Sequence, residues 1–447
     1  MDYEEAVGEL LAIPRYKKKI DQVEIAYLLG LLGHPEEQLQ MLHVAGTNGK
    51  GSVCAYLEQI GRSQGYSMGL FTSPHLLDIR ERFQVNGELI SRENFVRCYE
   101  RVKKAAGQME QDGHLPATFF EVIFSMAVCY FAEKKVDYAI VEAGMGGRSD
   151  TTNVIHPVIS VIVAIGLDHT AILGSTLAEI AYEKAGIMKP GVPVVVSRQS
   201  QEVREILCRT AKEIGAPCHF TDEYGVRILK NTPQGIDFSV DCEYDSKRFH
   251  TGMCGNYQVE NALTAIMAAR VLWNLELSAM QVPVANMFWA GRMECVCPRC
   301  YVDGAHNPQA MQQFADTVLE YFKEVPKILL YAVASDKDDS GMLRELLRIG
   351  AHTMVVTELE GARKTSCDAV YELVKKQASN LGVEIKVHVI ADMRLAIEHV
   401  LGIQKKDEYV FCTGSLYLVS AVKERMQKDR SESELSRDRE KEAVCHD

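Results

Sequence analysis

Apolar positions along the chain fall into two recurring patterns. Short continuous runs rich in Val and Ile alternate with longer segments whose apolar residues recur every three or four positions. The first pattern predicts strands buried on both faces, the second amphipathic helices. Met41–Ala45 reads as a buried strand, a glycine-rich turn follows, and Ser52–Gln64 reads as a helix. Ser67–Phe71 is the next strand, and Ser91–Ala106 and Thr118–Lys134 are helices. Thr118 with Glu121, and later Thr176 with Glu179, have the spacing of a capping box. Asp137–Glu142 and Val158–Ile165 read as buried parallel strands. Thr176–Met188 is a helix stopped by Lys189-Pro190-Gly191, and Val194–Ser197 resumes the sheet.

From Thr221 to Thr251 turn signals separate short alternating runs, which predicts hairpins. Gln258–Leu275 is again helical. The periodicity lapses near Ala290–Pro298, and strand–helix alternation restarts after it. Strands are expected at Cys300–Asp303, Lys327–Val333, Thr353–Thr357, Ile385–Val389 and Tyr409–Cys412. The expected fold is α/β: a P-loop-type doubly wound ATPase domain with a second, smaller Rossmann-like α/β domain. The expected limits are 1–294, 295–425 and a charged, disordered tail over 426–447.

Composition narrows the classes of function. A chain of 447 residues is too long for one core and has ample apolar material to bury. Its net charge of −12 argues against a nucleic-acid binder. The richest apolar stretch, Val154–Ile165, is interrupted by His156 and Pro157 and is too short to span a membrane. Met1–Leu11 carries acidic groups and no basic ones, unlike a secretory signal. With scattered cysteines, odd in number, this predicts a cytoplasmic protein.

The chemistry gathers at predicted strand ends. His43-Val44-Ala45-Gly46-Thr47-Asn48-Gly49-Lys50-Gly51-Ser52 joins a strand to a helix. Amides of such a turn and the helix start favour an anion, and Lys50 adds a full charge. The strict G-x-x-x-x-G-K-[ST] pattern is not met, because Val44 takes the first glycine position and Gly51 separates Lys50 from Ser52. Ser73, Glu142 and His169 each stand at the carboxyl end of a predicted strand. A hydroxyl and a carboxylate suit Mg²⁺, whereas an imidazole suits it less. Lys184, read from its helix alone, is a solvated lysine. Asp303-Gly304-Ala305-His306-Asn307-Pro308 and Asp336-Lys337-Asp338 follow strands of the second domain.

Taken together, GTNGKGS (Gly46–Ser52), TSPHL, VEAGMGGR, GLDHT, EKAGI, NYQ, GRME, DGAHNP, DKD and TGSLYLV follow one another in this chain. That succession resembles the folylpolyglutamate synthases, a family of the Mur ligase superfamily whose close relatives add dihydrofolate synthase activity. The family carries the extra glycine after the loop lysine. The resemblance implies an ATP-dependent ligase joining L-glutamate to a folate, or to dihydropteroate, through an acyl phosphate. It implies that Gly46, Thr47, Asn48, Gly49, Lys50, Gly51 and Ser52 cradle the ATP phosphates. Asn256, Arg292 and Asp303 would contact the rest of the nucleotide. Ser73, Glu142 and His169 would hold two Mg²⁺ ions. Lys184 matches a lysine that the family carries as an N-carbamate, and His306 faces the nucleotide and the incoming glutamate. Lys50, His169, Lys184 and His306 would thus be the catalytic set. Arg82, Asp150 and His306 would bind substrate, Arg82 beside Arg80 in a loop near the folate, Asp150 together with Thr118–Glu121. A monomer is implied, without nucleic-acid or membrane partners.

Cys295, Cys297 and Cys300 depart from the family pattern, and a zinc site there would lack a fourth ligand. The rival readings are a different amino-acid ligase of the superfamily and a non-catalytic folate- or nucleotide-binding protein. The 45 residues before Gly46 are too few for the extra domain of the peptidoglycan-precursor ligases. Retention of Lys50, Glu142, His169 and Lys184 argues against a mere binder.

Overall fold

The computed structural model describes residues 1–15, 22–242, 245–361 and 364–428. The chain divides into two compact units, Met1–Trp289 and Ala290 onward. The division precedes the expected 294/295 limit. The reason is local: Glu294–Cys297 pairs antiparallel with Cys300–Val302 and so belongs to the second unit's sheet.

The first unit is built on an eight-stranded sheet. Its strands are β1 (Met41–Ala45), β2 (Met68–Phe71), β3 (Phe83–Val85), β4 (Glu88–Leu89), β5 (Tyr138–Glu142), β6 (Ile159–Ile162), β7 (Val194–Val196) and β8 (Cys218–Phe220). The order is β4-β3-β2-β5-β1-β6-β7-β8, parallel from β2 to β8. The antiparallel β3–β4 hairpin turns at Asn86-Gly87, both with positive φ, the sequence signal of a tight hairpin that the periodicity did not expose. β1 is buried along its whole length because helices cover both faces.

Both capping boxes form. Thr118 caps Phe119–Lys134 and Thr176 caps Leu177–Ala185. The expected hairpins are β9 (Gly225–Thr232), β10 (Gly235–Cys242) and β11 (Asp245–Thr251), a separate antiparallel sheet. Phe238 and Phe249 of that sheet pack into the same core as helix Asn256–Trp273.

The second unit carries β12 (Glu294–Cys297), β13 (Cys300–Val302), β14 (Lys327–Tyr331), β15 (Thr353–Val356), β16 (Lys386–Val389) and β17 (Tyr409–Thr413), in the order β12-β13-β17-β14-β15-β16. All pairs but β12–β13 are parallel. A helix over 416–428 follows, its buried stripe made by Leu418, Val419, Val422 and Met426. The charged tail was expected from 426, but 426–428 continue this helix because Met426 completes that stripe. The rest of the expected tail, 429–447, lies outside the described residues. Among the described residues no helix is long and apolar enough to cross a membrane.

Candidate active site

Parallel register sets the first half of the site. Val44 pairs with Glu142, Ala45 with Ile162 and Phe71 with Val141, so the loops leaving β1, β2, β5 and β6 share one edge. Ligands of open α/β sheets bind at such an edge.

The loop after β1 is held rigidly. The amides of Thr47 and Asn48 donate to the Ala164 carbonyl at 2.8 and 3.2 Å. The Thr47 hydroxyl donates to Gly166 O and accepts from Gly166 N–H, both at 3.0 Å. At Gly46 a Cβ would collide with the Val163 side chain, so only glycine lets the loop pack against the strand exit. Gly49, with φ 94°, caps helix Lys50–Ser63, which puts Lys50 in the first turn. Lys50 Nζ donates to Gly46 O at 3.1 Å and Thr47 O at 3.2 Å and lies 3.9 Å from Glu142 Oε1. Ser52 is buried in the same helix, while Gly51 packs against Trp289.

Glu142 is buried, and its Oε2 accepts the Ser73 amide at 3.0 Å. Ser73 and Glu142 are therefore neighbours, a hydroxyl and a carboxylate of the hard-oxygen type that Mg²⁺ prefers. His169 has a left-handed backbone at the start of Thr170–Leu173 and lies 4.0 Å from Asp168.

Lys184 is not a solvated helix lysine. It is 3% exposed, and its Nζ donates to Gly46 O at 2.8 Å. Burial and the nearby Lys50 charge lower its pKa to about 7. Periodicity could not reveal this, because the burial comes from packing against a loop more than a hundred residues earlier.

Asp150 is buried and builds the turn after β5. Its Oδ2 accepts Met145 N–H at 2.7 Å, and its Oδ1 accepts the Thr152 amide at 2.9 Å and hydroxyl at 2.5 Å. Burial raises its pKa. Thr152 also meets His43 Nε2 at 2.8 Å, and burial lowers the His43 pKa to about 3. Sequence reasoning passed over this inner pair, although His43 opens the phosphate-loop segment.

Thr118 and Glu121 bond to each other as a helix cap. Arg82 is buried, donates to His75 Nδ1 at 2.9 Å and lies over the Phe119 ring. Burial and the Arg82 charge lower the His75 pKa to about 4, which keeps it a neutral acceptor. Arg80 forks onto Asp78, at 2.9 and 2.6 Å to Oδ2. Asn256 starts helix Asn256–Trp273 and accepts from Asn231 Nδ2 at 2.9 Å.

The second unit holds the remaining expected residues at the exit of β13. Asp303 is buried and accepts the amides of Met293 and Ala305 at 2.9 and 2.8 Å. His306 Nδ1 lies 2.7 Å from Gly304 O; a carbonyl only accepts, so Nδ1 carries the hydrogen. Asn307 caps helix Pro308–Phe322. The Arg292 guanidinium packs on Gly304, where a Cβ would strike it. Among the described residues the one group of three metal-type side chains is His34–Glu36–Glu37, with His34 and Glu37 exposed, and Cys295, Cys297 and Cys300 are free thiols.

A lysine-bearing glycine loop and a buried carboxylate at one sheet edge, followed by a second α/β unit, are the framework of the Mur-type ATP-dependent ligases. The Mur ligase middle domain matches residues 44–269, and the Mur ligase glutamate ligase domain matches 291–416. A dihydrofolate synthase/folylpolyglutamate synthase of Bacillus subtilis is 34% identical over 90% of this chain and 93% of its own length. The crystal structure of a Thermotoga maritima folylpolyglutamate synthase superposes with TM-score 0.81 at 30% identity, covering 95% of this chain and 96% of that one. Mycobacterium tuberculosis folylpolyglutamate synthase, complexed with ADP and AMPPCP, superposes with TM-score 0.86 at 26% identity, covering 95% and 98%. The chain belongs to the folylpolyglutamate synthase/dihydrofolate synthase family of Mur ligases.

Proposed function

We propose that this chain adds L-glutamate to the side-chain carboxylate of tetrahydrofolate and its polyglutamates, at the expense of ATP, with dihydropteroate as a second acceptor. The observation that carries the reading is the convergence of Lys50, Glu142 and Lys184 on the Gly46 loop in a chain of this family. The Bacillus relative, which bears both names, supports the second acceptor.

A carboxylate resists attack by an amine until one of its oxygens becomes a leaving group. Transfer of the γ-phosphoryl group of ATP makes an acyl phosphate and ADP. The glutamate amine then attacks, and phosphate leaves with formation of the amide. The obstacle is charge, since two anions must meet. Lys50 and the amides of Gly49–Ser52 would hold the β and γ phosphates, the Thr47 and Asn48 amides being engaged by the Ala164 carbonyl. Asn256, Arg292 and Asp303 would bind the rest of the nucleotide, and His306 would face it and the incoming glutamate. Arg82 would line the folate side, and Asp150, its carboxylate engaged by Met145 and Thr152, would shape the turn behind it.

Ser73 and Glu142 have the donor chemistry to hold one Mg²⁺, and His169 would help hold a second. Mg²⁺ keeps most of its waters and takes few protein ligands, so one carboxylate and a hydroxyl are a fitting set. When bound, it offsets charge on the phosphates.

Lys184 fits N-carbamoylation. Carbon dioxide adds to a neutral amine, and a lysine with a pKa near 7 is neutral in a large fraction of molecules at physiological pH. Carbamoylation would replace a repelled cation beside Lys50 with an attracted anion. The reading also takes the chain to act as a cytosolic monomer on small molecules.

The test is ADP release with ATP, Mg²⁺ and L-glutamate, offered tetrahydrofolate in one tube and dihydropteroate in another. Mass spectrometry should find each product extended by one glutamyl group. Turnover with tetrahydrofolate alone would remove the second acceptor. No glutamate-dependent turnover with either, in folded protein that binds ATP, would overturn the ligase reading.

A further inference from the structure

Arg292 sits between two left-handed residues, Gly291 at φ 71° and Met293 at φ 43°. The conformation is disfavoured at Met293, which carries a Cβ, so its surroundings must impose it. Two carboxylates do so. Glu294 Oε2 accepts Gly291 N–H at 2.7 Å, and Asp303 Oδ2 accepts Met293 N–H at 2.9 Å. The Gly304 amide donates to Gly291 O at 2.9 Å and stitches this bend to the loop after β13.

Glu294 is itself gripped. Lys423 Nζ lies 2.6 Å from its Oε1 and 2.7 Å from its Oε2, with the two side chains only 12% and 15% exposed. Lys423 projects from the 416–428 helix, which the stripe of Leu418, Val419, Val422 and Met426 anchors. A carboxylate held through one amide can swing about that contact. One bridged through both oxygens to a cation cannot. The cation also offsets a negative charge two residues from Arg292, a charge that would otherwise draw the guanidinium away from a phosphate.

We propose that Lys423 is a positioning residue for nucleotide binding: by bridging Glu294 it fixes the Gly291–Met293 bend that presents Arg292. This rests on the reading of Arg292 as a nucleotide contact.

The test uses the full chain with Lys423→Met, Lys423→Arg, Arg292→Ala and the Lys423→Met/Arg292→Ala double variant. Lys423→Met should raise the KM for ATP about ten-fold with kcat and the KM for glutamate within about two-fold. Lys423→Arg should restore the KM, since a guanidinium also bridges a carboxylate. In the Arg292→Ala background Lys423→Met should add nothing. An unchanged KM for ATP in Lys423→Met, or the same increase with and without Arg292, would overturn the proposal. If Lys423→Met fails to fold by thermal melting, Lys423→Gln takes its place in the same cycle. Calorimetric titration of ATP into the same variants reads the coupling without turnover. A wild type that binds ATP but adds no glutamate therefore overturns the ligase reading while the Lys423–Arg292 coupling is still decided.

Discussion

Lys50 and Lys184 converge on one acceptor. Both ammonium groups donate to the Gly46 carbonyl, at 3.1 and 2.8 Å, although Lys50 starts the helix after the loop and Lys184 comes from a helix far along the chain. Two cations sharing one carbonyl repel, and the buried one yields. Its burial first, and then the repulsion from Lys50, lower the Lys184 pKa to about 7.

Lys184 should therefore leave a signature in stability. Between pH 7 and its ordinary value of 10.5 the unfolded lysine binds a proton that the folded one has lost. The native state gains as pH rises through this window, by at most about 1.4 kcal/mol per pH unit, and carries the full penalty below pH 7. Urea titrations of wild type and Lys184→Met should differ by this slope in CO₂-free buffer. In ¹³C-bicarbonate, wild type but not Lys184→Met should show a carbamate resonance.

Lys50→Met should lower kcat by about 10²–10³-fold, the usual cost of removing one preorganised charge at a reacting phosphate. The fold should persist, because the Lys50 ammonium donates to carbonyls of its own loop, and Glu142, 3.9 Å away, keeps the Ser73 amide. Gly46→Ala should act differently. Its methyl meets Val163, so a loss of about 1–3 kcal/mol in stability should accompany the loss of turnover. Melting curves beside rate measurements separate the two.

Two neutral histidines predict acid sensitivity. Native His43 and His75 stay neutral down to pH values near 3 and 4. The unfolded chain takes up those protons below about pH 6.5, so stability falls as pH drops from there. His43→Met should flatten the slope by up to about 1.4 kcal/mol per pH unit. Thr152→Val removes the hydroxyl between His43 and Asp150 and should cost about 1–3 kcal/mol at neutral pH, measured by denaturant unfolding.

Glu142→Gln keeps an oxygen for the Ser73 amide but loses the charge. The Mg²⁺ concentration for half-maximal turnover should rise at least about ten-fold, since Mg²⁺ binds through few carboxylates and each one counts. A chelator should abolish wild-type turnover and Mg²⁺ restore it. An unchanged Mg²⁺ requirement would remove Glu142 from the metal site.

Most of the sheet was legible because its strands are buried on both faces and so read as unbroken apolar runs, such as Met41–Ala45 and Ile159–Ile162. Both capping boxes were legible because a cap is set by residues three apart. The Phe83–Val85 and Glu88–Leu89 hairpin was missed although Asn86-Gly87 marks its turn, for its strands are too short to show a period.

Local pattern alone thus determined where most of the buried strands and the capped helices lie, that a glycine-rich turn carrying Lys50 opens at Gly46 between a strand and a helix, and that Glu142 ends a strand. These depend on neighbours along the chain. Tertiary structure alone decided that Lys184 is buried on the Gly46 carbonyl, that His43 meets Thr152, and that Lys423 grips Glu294. Each of those pairs polar groups from separate segments, and a lysine in an amphipathic helix carries the same local pattern whether water or another backbone receives its proton.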